Sequence, residues 1–511
     1  MSGFTTIGKK EQGRGDVGTA GGSVGPFGTS LVSNLTPSGQ ATFVYGINNI
    51  QWTTSSSGIG AGASASESIM TCTSGDSLSG SCEVTLARGL KYRAGQGGIC
   101  RLTVIFGSGA PDTKQLAGVG NGESGFYFAM SGSSFGILHR ETSKREIRAF
   151  TVTVPPAGAA NIVVTLAGES KTVAINGGAS ASQTAYQLSL GDYSGLGSGW
   201  SSEAVGSIVY FIARTPGPFG GTFSATDGGS PIATVATTRV GVLPTDTFVP
   251  QSQWNIDTMD GNGPSRFTLD RTKGNIYSVG YQYLGFGNPT FSIEDADTGF
   301  LADCHQIRSA NLRTTTVVKN PTMFAKWAAI NSGSLATSVS VKGASAGTFT
   351  EGLVARNVGI SFSAAASKTN VSTLVPVITL RTNNVYNSES CYGALDLFNI
   401  SVANDAGNSS SGKLLKFYFY KNATLGGPVN FQLVDAARSI SAIDTAATSV
   451  VVNSDTQLIK TLVVAANASD ILKIEDENFF IGPGESITIA AEKVSNTVDT
   501  AAISISWFED Q

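Results

Sequence analysis

The chain has 511 residues, of which only 14% are charged, and its 33 basic and 37 acidic side chains give a net charge of −4. This length predicts several domains with ample chain to bury a core. The balanced charge and the absence of a basic stripe argue against nucleic acid as the main partner. Because no run of about 18 apolar residues occurs, we expect no membrane-spanning helix.

The N-terminal region is poor in charge. Residues 1–35 are glycine-rich and without periodicity, which predicts an extended arm. The stretch Val17–Ser66 contains no charged side chain, and its small neutral residues indicate a surface packed against other proteins. We therefore expect this region to attach the subunit to an assembly. The first residues lack the apolar run of a secretory leader, so we expect synthesis in a cytoplasm.

Short strand-like segments recur about every ten residues from position 40 onwards, each bounded by Gly, Ser, Asn or Pro. One helix is predicted at Ser180–Leu190, inside a small α+β unit. The best boundary lies between Pro244 and Pro250, after which strands continue to Ala501–Trp507. Lys413–Tyr420 is apolar on both faces in its second half, which predicts a central strand.

These elements predict an all-β protein built from tandem β-sandwich or jelly-roll domains, with one small α+β insertion and an extended N-terminal arm. Five segments are predicted: an arm (1–35), a β-rich domain (36–155), a small α+β or β module (156–250), a β-sandwich (251–365) and a C-terminal sandwich or jelly roll (366–511).

Two glycine motifs match catalytic or cofactor-binding patterns. Gly132–Gly136 satisfies G-x-S-x-G, but a nucleophile elbow needs a helix after the serine, and strand-like sequence follows. Gly120–Gly125 satisfies G-x-G-x-x-G, but a dinucleotide site also needs a following helix, and FYFAM follows instead. Both patterns therefore predict glycine-rich turns between strands.

The chain has few residues that could bind a metal or carry out thiol chemistry. His139 and His305 are the two histidines, so histidine-based clusters are nearly excluded. The five cysteines form no C-x-x-C pair, which argues against a zinc site, and no cofactor is expected. Cys72 and Cys82 flank a Ser/Gly loop; free buried thiols and an oxidised pair are both open.

Five residues are candidate ligand or interface contacts. Asp257 and Asp260 lie in DTMDGNGPS, which lacks the alternate-residue oxygen spacing of an EF-hand loop, and a weak calcium or sugar site is the functional alternative there. Tyr277, Tyr281 and Tyr283 alternate along a predicted strand and share one face. That face belongs either to the core or to a surface that stacks on sugars or packs on subunits.

Three blocks resemble modules of structural proteins from large double-stranded DNA viruses and tailed phages. They are GFYFAMSGSSFGILHRETSKREIRAFTVT (Gly125–Thr153), WNIDTMDGNGPSRFTLDRTKGNIYSVGYQYLGFG (Trp254–Gly287) and IGPGESITIAAEKVSNTVDTAAISISWFED (Ile481–Asp510). In the first block, Ala129 and Met130 stand where Gly and Tyr are usual in such proteins. The resemblance implies a fibre, spike, baseplate or capsid-associated component, with no catalytic residues to transfer.

The leading hypothesis is therefore a non-enzymatic virion structural protein, made in the host cytoplasm. We expect a homo-oligomer, with a trimer favoured by analogy with viral fibres, and contacts to other virion proteins through the N-terminal region. A host glycan or surface receptor is a further expected partner. The first alternative is a carbohydrate-binding adhesin. The second is a particle-borne polysaccharide-degrading enzyme, with an acidic cleft assembled from residues such as Asp257, Asp260 or Glu294.

Overall fold

The computed structural model describes residues 35–510, apart from 91, 177–179, 198, 334–336, 353–358, 407–412, 474–478 and 495–498. Almost all of the predicted arm therefore lies outside the described residues. Internal contacts divide the chain into two compact units, formed by residues 1–141 with 246–354 and by residues 142–245 with 355–511. The predicted five-part division stays a prediction, although its boundaries at 35/36 and 365/366 fall inside strands.

The first unit is built from strands of both its sequence segments. Its strands are β1 (Leu35–Thr42), β2 (Trp52–Ser57), β3 (Gly62–Ser66), β4 (Ile69–Thr73), β5 (Ser81–Leu86), β6 (Gly98–Phe106), β7 (Thr113–Gly120), β8 (Gly125–Ser131), the start of β9 (Ser134–Val152), the end of β17 (Val242–Pro250), β18 (Asn275–Tyr281), β19 (Thr290–Glu294), β20 (Leu301–Gln306), β21 (Phe324–Asn331), β22 (Ser340–Gly343) and β23 (Ser345–Glu351).

Two antiparallel sheets form a sandwich in this unit. One follows the order β20-β19-β18-β6-β22-β4-β3, with β23 also paired to β6 and β1 paired to β23. The other follows β9-β8-β7-β21-β5-β2. In β6, buried and half-exposed residues alternate, as expected for a strand with one face on a core. The core holds Trp52, Phe128, Trp254, Tyr277 and Trp327.

The second unit contains the remaining strands and the one α-helix of the described residues. Its elements are the end of β9, β10 (Ala160–Leu166), β11 (Glu169–Ile175), α1 (Ala181–Ser189), β12 (Trp200–Val205), β13 (Ile208–Pro216), β14 (Ser224–Asp227), β15 (Ser230–Pro231), β16 (Ala233–Arg239), the start of β17, β24 (Ile360–Val371), β25 (Val375–Thr382), β26 (Val385–Tyr386), β27 (Glu389–Ser390), β28 (Ala394–Asp405), β29 (Leu414–Lys421), β30 (Thr424–Gly426), β31 (Gln432–Leu433), β32 (Ser441–Asp444), β33 (Ser449–Val451), β34 (Gln457–Ala465), β35 (Ala468–Lys473), β36 (Phe480–Ile481), β37 (Ser486–Lys493) and β38 (Asp499–Asp510).

Two cores organise this unit. The first is shared by α1, the sheet β11-β10-β14-β15 and the strands β12, β13 and β16. The second lies between the sheet β24-β38-β28-β35, to which β36 adds, and the sheet β31-β32-β25-β37-β29-β34. Trp507, Phe417 and Phe419 are fully buried in the second core.

The predicted helix is confirmed at α1. Ser180 caps its N-terminus, since the Ser180 side chain accepts a hydrogen bond from the Gln183 amide. The helix buries Ala185, Tyr186 and Leu188. The predicted central strand is confirmed as well, because β29 lies between β34 and β37. The fold class is thus all-β, with multiple antiparallel sheets and one small α+β part.

Candidate interaction surface

The two glycine motifs are hairpin turns. Gly120 and Gly125 are register partners at the end of the β7–β8 hairpin. Gly132 adopts a φ of 58° in the turn that joins β8 to β9, where Ser131 pairs with Ser134. Neither turn is followed by a helix, so the interpretation of both motifs as turns is confirmed.

Both histidines serve the packing of the first unit. The His139 Nε2 atom lies 2.8 Å from the Val317 carbonyl oxygen, and the ring stacks on Phe126. The His305 Nδ1 atom accepts a hydrogen bond from the Asn255 amide. Burial lowers the pKa of His139, and burial together with the charge of Arg308 lowers the pKa of His305 to about 4. Both rings are therefore neutral at pH 7.

Asp257 organises the loop that follows Trp254. Its carboxylate accepts hydrogen bonds from the amides of Met259 and Ser265, at 2.8 Å each. The side chain is 3% exposed, so its oxygens face the loop and not solvent. Asp260 is exposed and accepts a hydrogen bond from the Asn262 amide, which shapes the next turn. In the described residues, no group of three or more His, Cys, Asp or Glu side chains is placed to hold a metal ion.

The three tyrosines occupy different positions around β18. Tyr277 and Tyr281 share the inward face of the strand and are 0% and 4% exposed, so their rings belong to the core. Tyr283 lies beyond the end of β18, half-buried, and its hydroxyl donates to the Val318 carbonyl. Burial raises the pKa of all three hydroxyls. That these tyrosines, Asp257 and Asp260 contact a ligand or subunit stays a prediction.

A different surface stands out in the second unit. On the sheet β24-β38-β28-β35, the outward side chains in the middle of the strands are uncharged and, apart from Ile471, small. We call this surface the neutral sheet face and define it as Ser363, Ala365, Ser367, Ser401, Ala403, Ser469, Ile471, Ala502, Ser504 and Ser506.

Strand register builds this face from four separate stretches of sequence. Ala365, Ser504, Ser401 and Ile471 form one row across the four strands. Ser367, Ala502, Ala403 and Ser469 form the next. A shallow depression of about 590 Å³ lies over these rows. Ile471, 58% exposed, is its largest outward side chain.

The opposite side of the same strands is apolar, and this explains the alternating pattern. In β38, Ile503, Ile505 and Trp507 point into the core, while Ser504 and Ser506 between them point outward. The pattern AAISISW therefore predicted a strand. It did not reveal that three neighbouring strands also present neutral residues on this face, because the partners lie far apart in the sequence.

Edge strand β24 borders this face. It is twelve residues long and, among the described strands, pairs only with β38. Its residues Ile360–Ser367 carry no charge. Natural proteins usually protect an exposed edge with charges, proline or a bulge, because its free amide and carbonyl groups attract another strand. This edge has little protection of that kind, apart from Lys368 and a register shift near its end.

No family model matches the chain, and no curated protein matches it. In the described residues, no helix is long and apolar enough to cross a membrane. Comparison with solved structures finds the Emp47p carbohydrate recognition domain, at 10% identity and a TM-score of 0.23, covering 62% of this chain and 97% of that one. It also finds the exoplasmic/lumenal domain of VIP36 in its Ca2+/Man2-bound form, at 12% identity and a TM-score of 0.25, covering 63% and 92%.

A viral protein is found as well: the triple jelly roll of an archaeal virus turret, at 9% identity and a TM-score of 0.17, covering 90% of this chain and 89% of that one. All three TM-scores are below 0.5, so the similarities carry no argument about what this chain does.

Proposed function

We propose that this chain is a non-catalytic structural subunit of a protein assembly and that its neutral sheet face packs against a second copy of the chain. The observation that carries the proposal is the composition of that face, whose two complete rows hold eight outward residues across four strands with no charge among them. We further propose that the assembly is a virion and that the chain forms a homo-oligomer in it. This part of the proposal is supported by the resemblance to viral modules of Gly125–Thr153, Trp254–Gly287 and Ile481–Asp510.

The physical argument concerns desolvation. Burying a charged group in an interface costs free energy unless it gains a partner, and interface centres are accordingly depleted of charge. Serine and alanine side chains are small and uncharged, so their desolvation costs little and two sheets can approach closely. The serine hydroxyls can still form hydrogen bonds. Surfaces that stay in solvent instead carry mixed Lys, Arg, Glu and Asp. The neutral sheet face has the uncharged composition of an interface centre.

The absence of catalysis is part of the proposal. The side chains that the sequence offered for chemistry have structural duties in the first unit: Asp257 holds a loop, and His139 and His305 bond to backbone groups. Hydrolysis of a host polysaccharide that is abolished by Asp257→Asn or Glu294→Gln, in a variant that keeps its fold, would contradict a non-catalytic role.

Light scattering on the full-length chain tests the assembly. We expect a concentration-dependent rise in mass above that of a single chain, and we expect Ala502→Glu to weaken association at least about tenfold, because the new carboxylate would be buried without a partner. Thr234→Glu is the matched control, since Thr234 is an exposed strand residue of the same unit on β16. Equal masses for wild type and Ala502→Glu at every concentration would contradict the proposal.

Carbohydrate binding is the second candidate, favoured by one observation. The shallow depression on the neutral sheet face presents the hydroxyl groups of Ser367, Ser401, Ser469 and Ser504 around Ala and Ile side chains. Serine hydroxyls beside apolar side chains can form hydrogen bonds with a sugar. A glycan array separates the two functions: glycan binding by a monomer, lost in Ala502→Glu and kept in Thr234→Glu, would favour this second candidate.

A further inference from the structure

Three asparagine–glycine pairs occur in the chain, at Asn121–Gly122, Asn176–Gly177 and Asn262–Gly263. This dipeptide is chemically labile, because the backbone nitrogen of the glycine can attack the side-chain amide carbon of the asparagine and close a succinimide ring. Glycine favours the attack, since it has no Cβ atom to restrict the backbone. The second pair lies partly outside the described residues, and the other two have opposite surroundings.

The Asn121 side chain is held firmly inside the first unit, where it is 6% exposed. Its Nδ2 atom donates to the carbonyl oxygens of Asn320 and Thr322, at 3.1 Å each. Its Oδ1 atom accepts hydrogen bonds from the amides of Glu123 and Ser124. Ring closure would have to break these hydrogen bonds at a buried position, which is costly.

The Asn262 side chain is instead exposed, in the loop that follows Trp254. The backbone amide of Asn262 donates to the Oδ1 atom of Asp260, at 2.9 Å. The next amide, that of Gly263, donates no hydrogen bond within the described part of the chain. The attacking nitrogen is therefore not engaged elsewhere, and solvent reaches the side chain that it would attack.

We propose that Asn262–Gly263 deamidates spontaneously in the folded protein and that the isoaspartate product opens the loop organised by Asp257. This inference goes beyond the proposed function and does not depend on it. The structure separates this pair from Asn121–Gly122, which the dipeptide sequence alone does not.

The reaction needs water and no other co-reactant. The Gly263 nitrogen forms a bond to the Asn262 Cγ atom and gives up its proton, while the bond from Cγ to Nδ2 breaks and ammonia leaves. Water then opens the ring at one of its two carbonyl carbons. Opening at Cγ gives aspartate, and opening at the former backbone carbonyl gives isoaspartate, in which the chain continues through the side-chain carbon.

Asp257 holds the loop on both sides of this bond. Its carboxylate accepts the amide of Met259, which precedes Asn262, and the amide of Ser265, which follows it, at 2.8 Å each. Isoaspartate would add one carbon to the backbone between these two amides. We therefore expect at least one of the two hydrogen bonds to break, leaving the buried carboxylate with an unmet acceptor.

Hydroxylamine tests the first half of the proposal, because it cleaves the chain where a succinimide forms. Native full-length protein is treated at mildly alkaline pH, and the fragments are identified by mass spectrometry. We expect cleavage after Asn262 to be at least about tenfold faster than cleavage after Asn121, because the Asn121 amide is buried and hydrogen-bonded. In denaturant, the two rates should become similar. Equal rates in the native protein, or cleavage after Asn262 only in denaturant, would overturn the inference.

Storage of the native protein without hydroxylamine tests the second half. Peptide mapping should find isoaspartate at position 262, and the aged protein should have a lower Tm than fresh protein. Asn262→Gln should keep its Tm during storage, because glutamine closes such a ring far more slowly. Fresh Asn262→Asp should match fresh wild type, since it carries the new charge without the extra backbone carbon. Isoaspartate at position 262 with an unchanged Tm would contradict the opening of the loop.

Discussion

A Cβ atom placed on Gly263 would lie 1.9 Å from the Oδ1 atom of Asp257. The carboxylate thus approaches the backbone of the loop so closely that no side chain fits at this position. Asp257 uses the approach to accept the amides of Met259 and Ser265. Close packing against Asp257 therefore explains why position 263 is a glycine, since the backbone of Gly263 does not adopt a positive φ.

Gly263→Ala should therefore destabilise the protein. The added methyl group forces the Asp257 carboxylate away from its amide partners, with an expected cost of about 1–3 kcal/mol in the free energy of unfolding. Gly280→Ala is the control, because a Cβ atom on Gly280 would meet nothing within 4 Å. Denaturant unfolding of the two variants measures the difference. Equal stabilities would show that the loop adjusts without loss.

The Arg140–Asp246 ion pair predicts a response to acid. Burial alone would raise the pKa of Asp246, but the hydrogen bonds and charges of Arg140 and Lys114 outweigh it and hold the pKa below its ordinary 3.8. A depressed pKa contributes stability that is present above pH 3.8 and is lost as the pH falls through the lower value of the folded state.

Asp246→Asn should remove that contribution. We expect the variant to be less stable than wild type at pH 7 by about 2 kcal/mol, and the difference to shrink as the pH falls below 3.8. Asp297→Asn, in the exposed turn between β19 and β20, serves as the control. Urea unfolding at a series of pH values measures both. A difference that stays constant down to pH 2 would contradict the assignment.

A buried carboxylate organises the end of β38. Glu509 accepts hydrogen bonds from the hydroxyls of Ser439 and Ser441, the amide of Ile440 and the indole of Trp507. A glutamine would present an amino group to one of these donors. We expect Glu509→Gln to lower the free energy of unfolding by about 1–3 kcal/mol.

The matched control for this substitution is Glu492→Gln. Glu492 accepts one hydrogen bond, from the Tyr418 hydroxyl, at a half-buried position, and a glutamine oxygen can still accept it. Thermal unfolding of both variants gives the comparison. Indistinguishable Tm values would mean that the four donors around Glu509 contribute little to stability.

Local sequence patterns predicted much of the fold. The helix at α1 follows from its serine cap and its apolar spacing, and the strand at Ala501–Trp507 follows from its alternation. The turn at Gly132–Gly136 follows from the strand-like residues that come after it. All three depend on residues that are close together in the sequence, so the sequence pattern shows them directly.

The candidate surface could not be predicted in the same way. Alternation showed that Tyr277 and Tyr281 share a face but not that this face is the buried one. The row of Ala365, Ser504 and Ser401 depends on the register between β24, β38 and β28, which is set by tertiary pairing.

Hydroxyl-radical footprinting of the full-length chain tests the central claim most directly, because it reports the exposure of individual side chains without a mutation. Ile471 on the neutral sheet face is 58% exposed, and Val463 on β34 of the other sheet is 57% exposed. As the protein concentration rises and chains associate, the oxidation rate of Ile471 should fall severalfold while that of Val463 stays constant. Association that leaves the rate of Ile471 unchanged relative to Val463 would contradict the account.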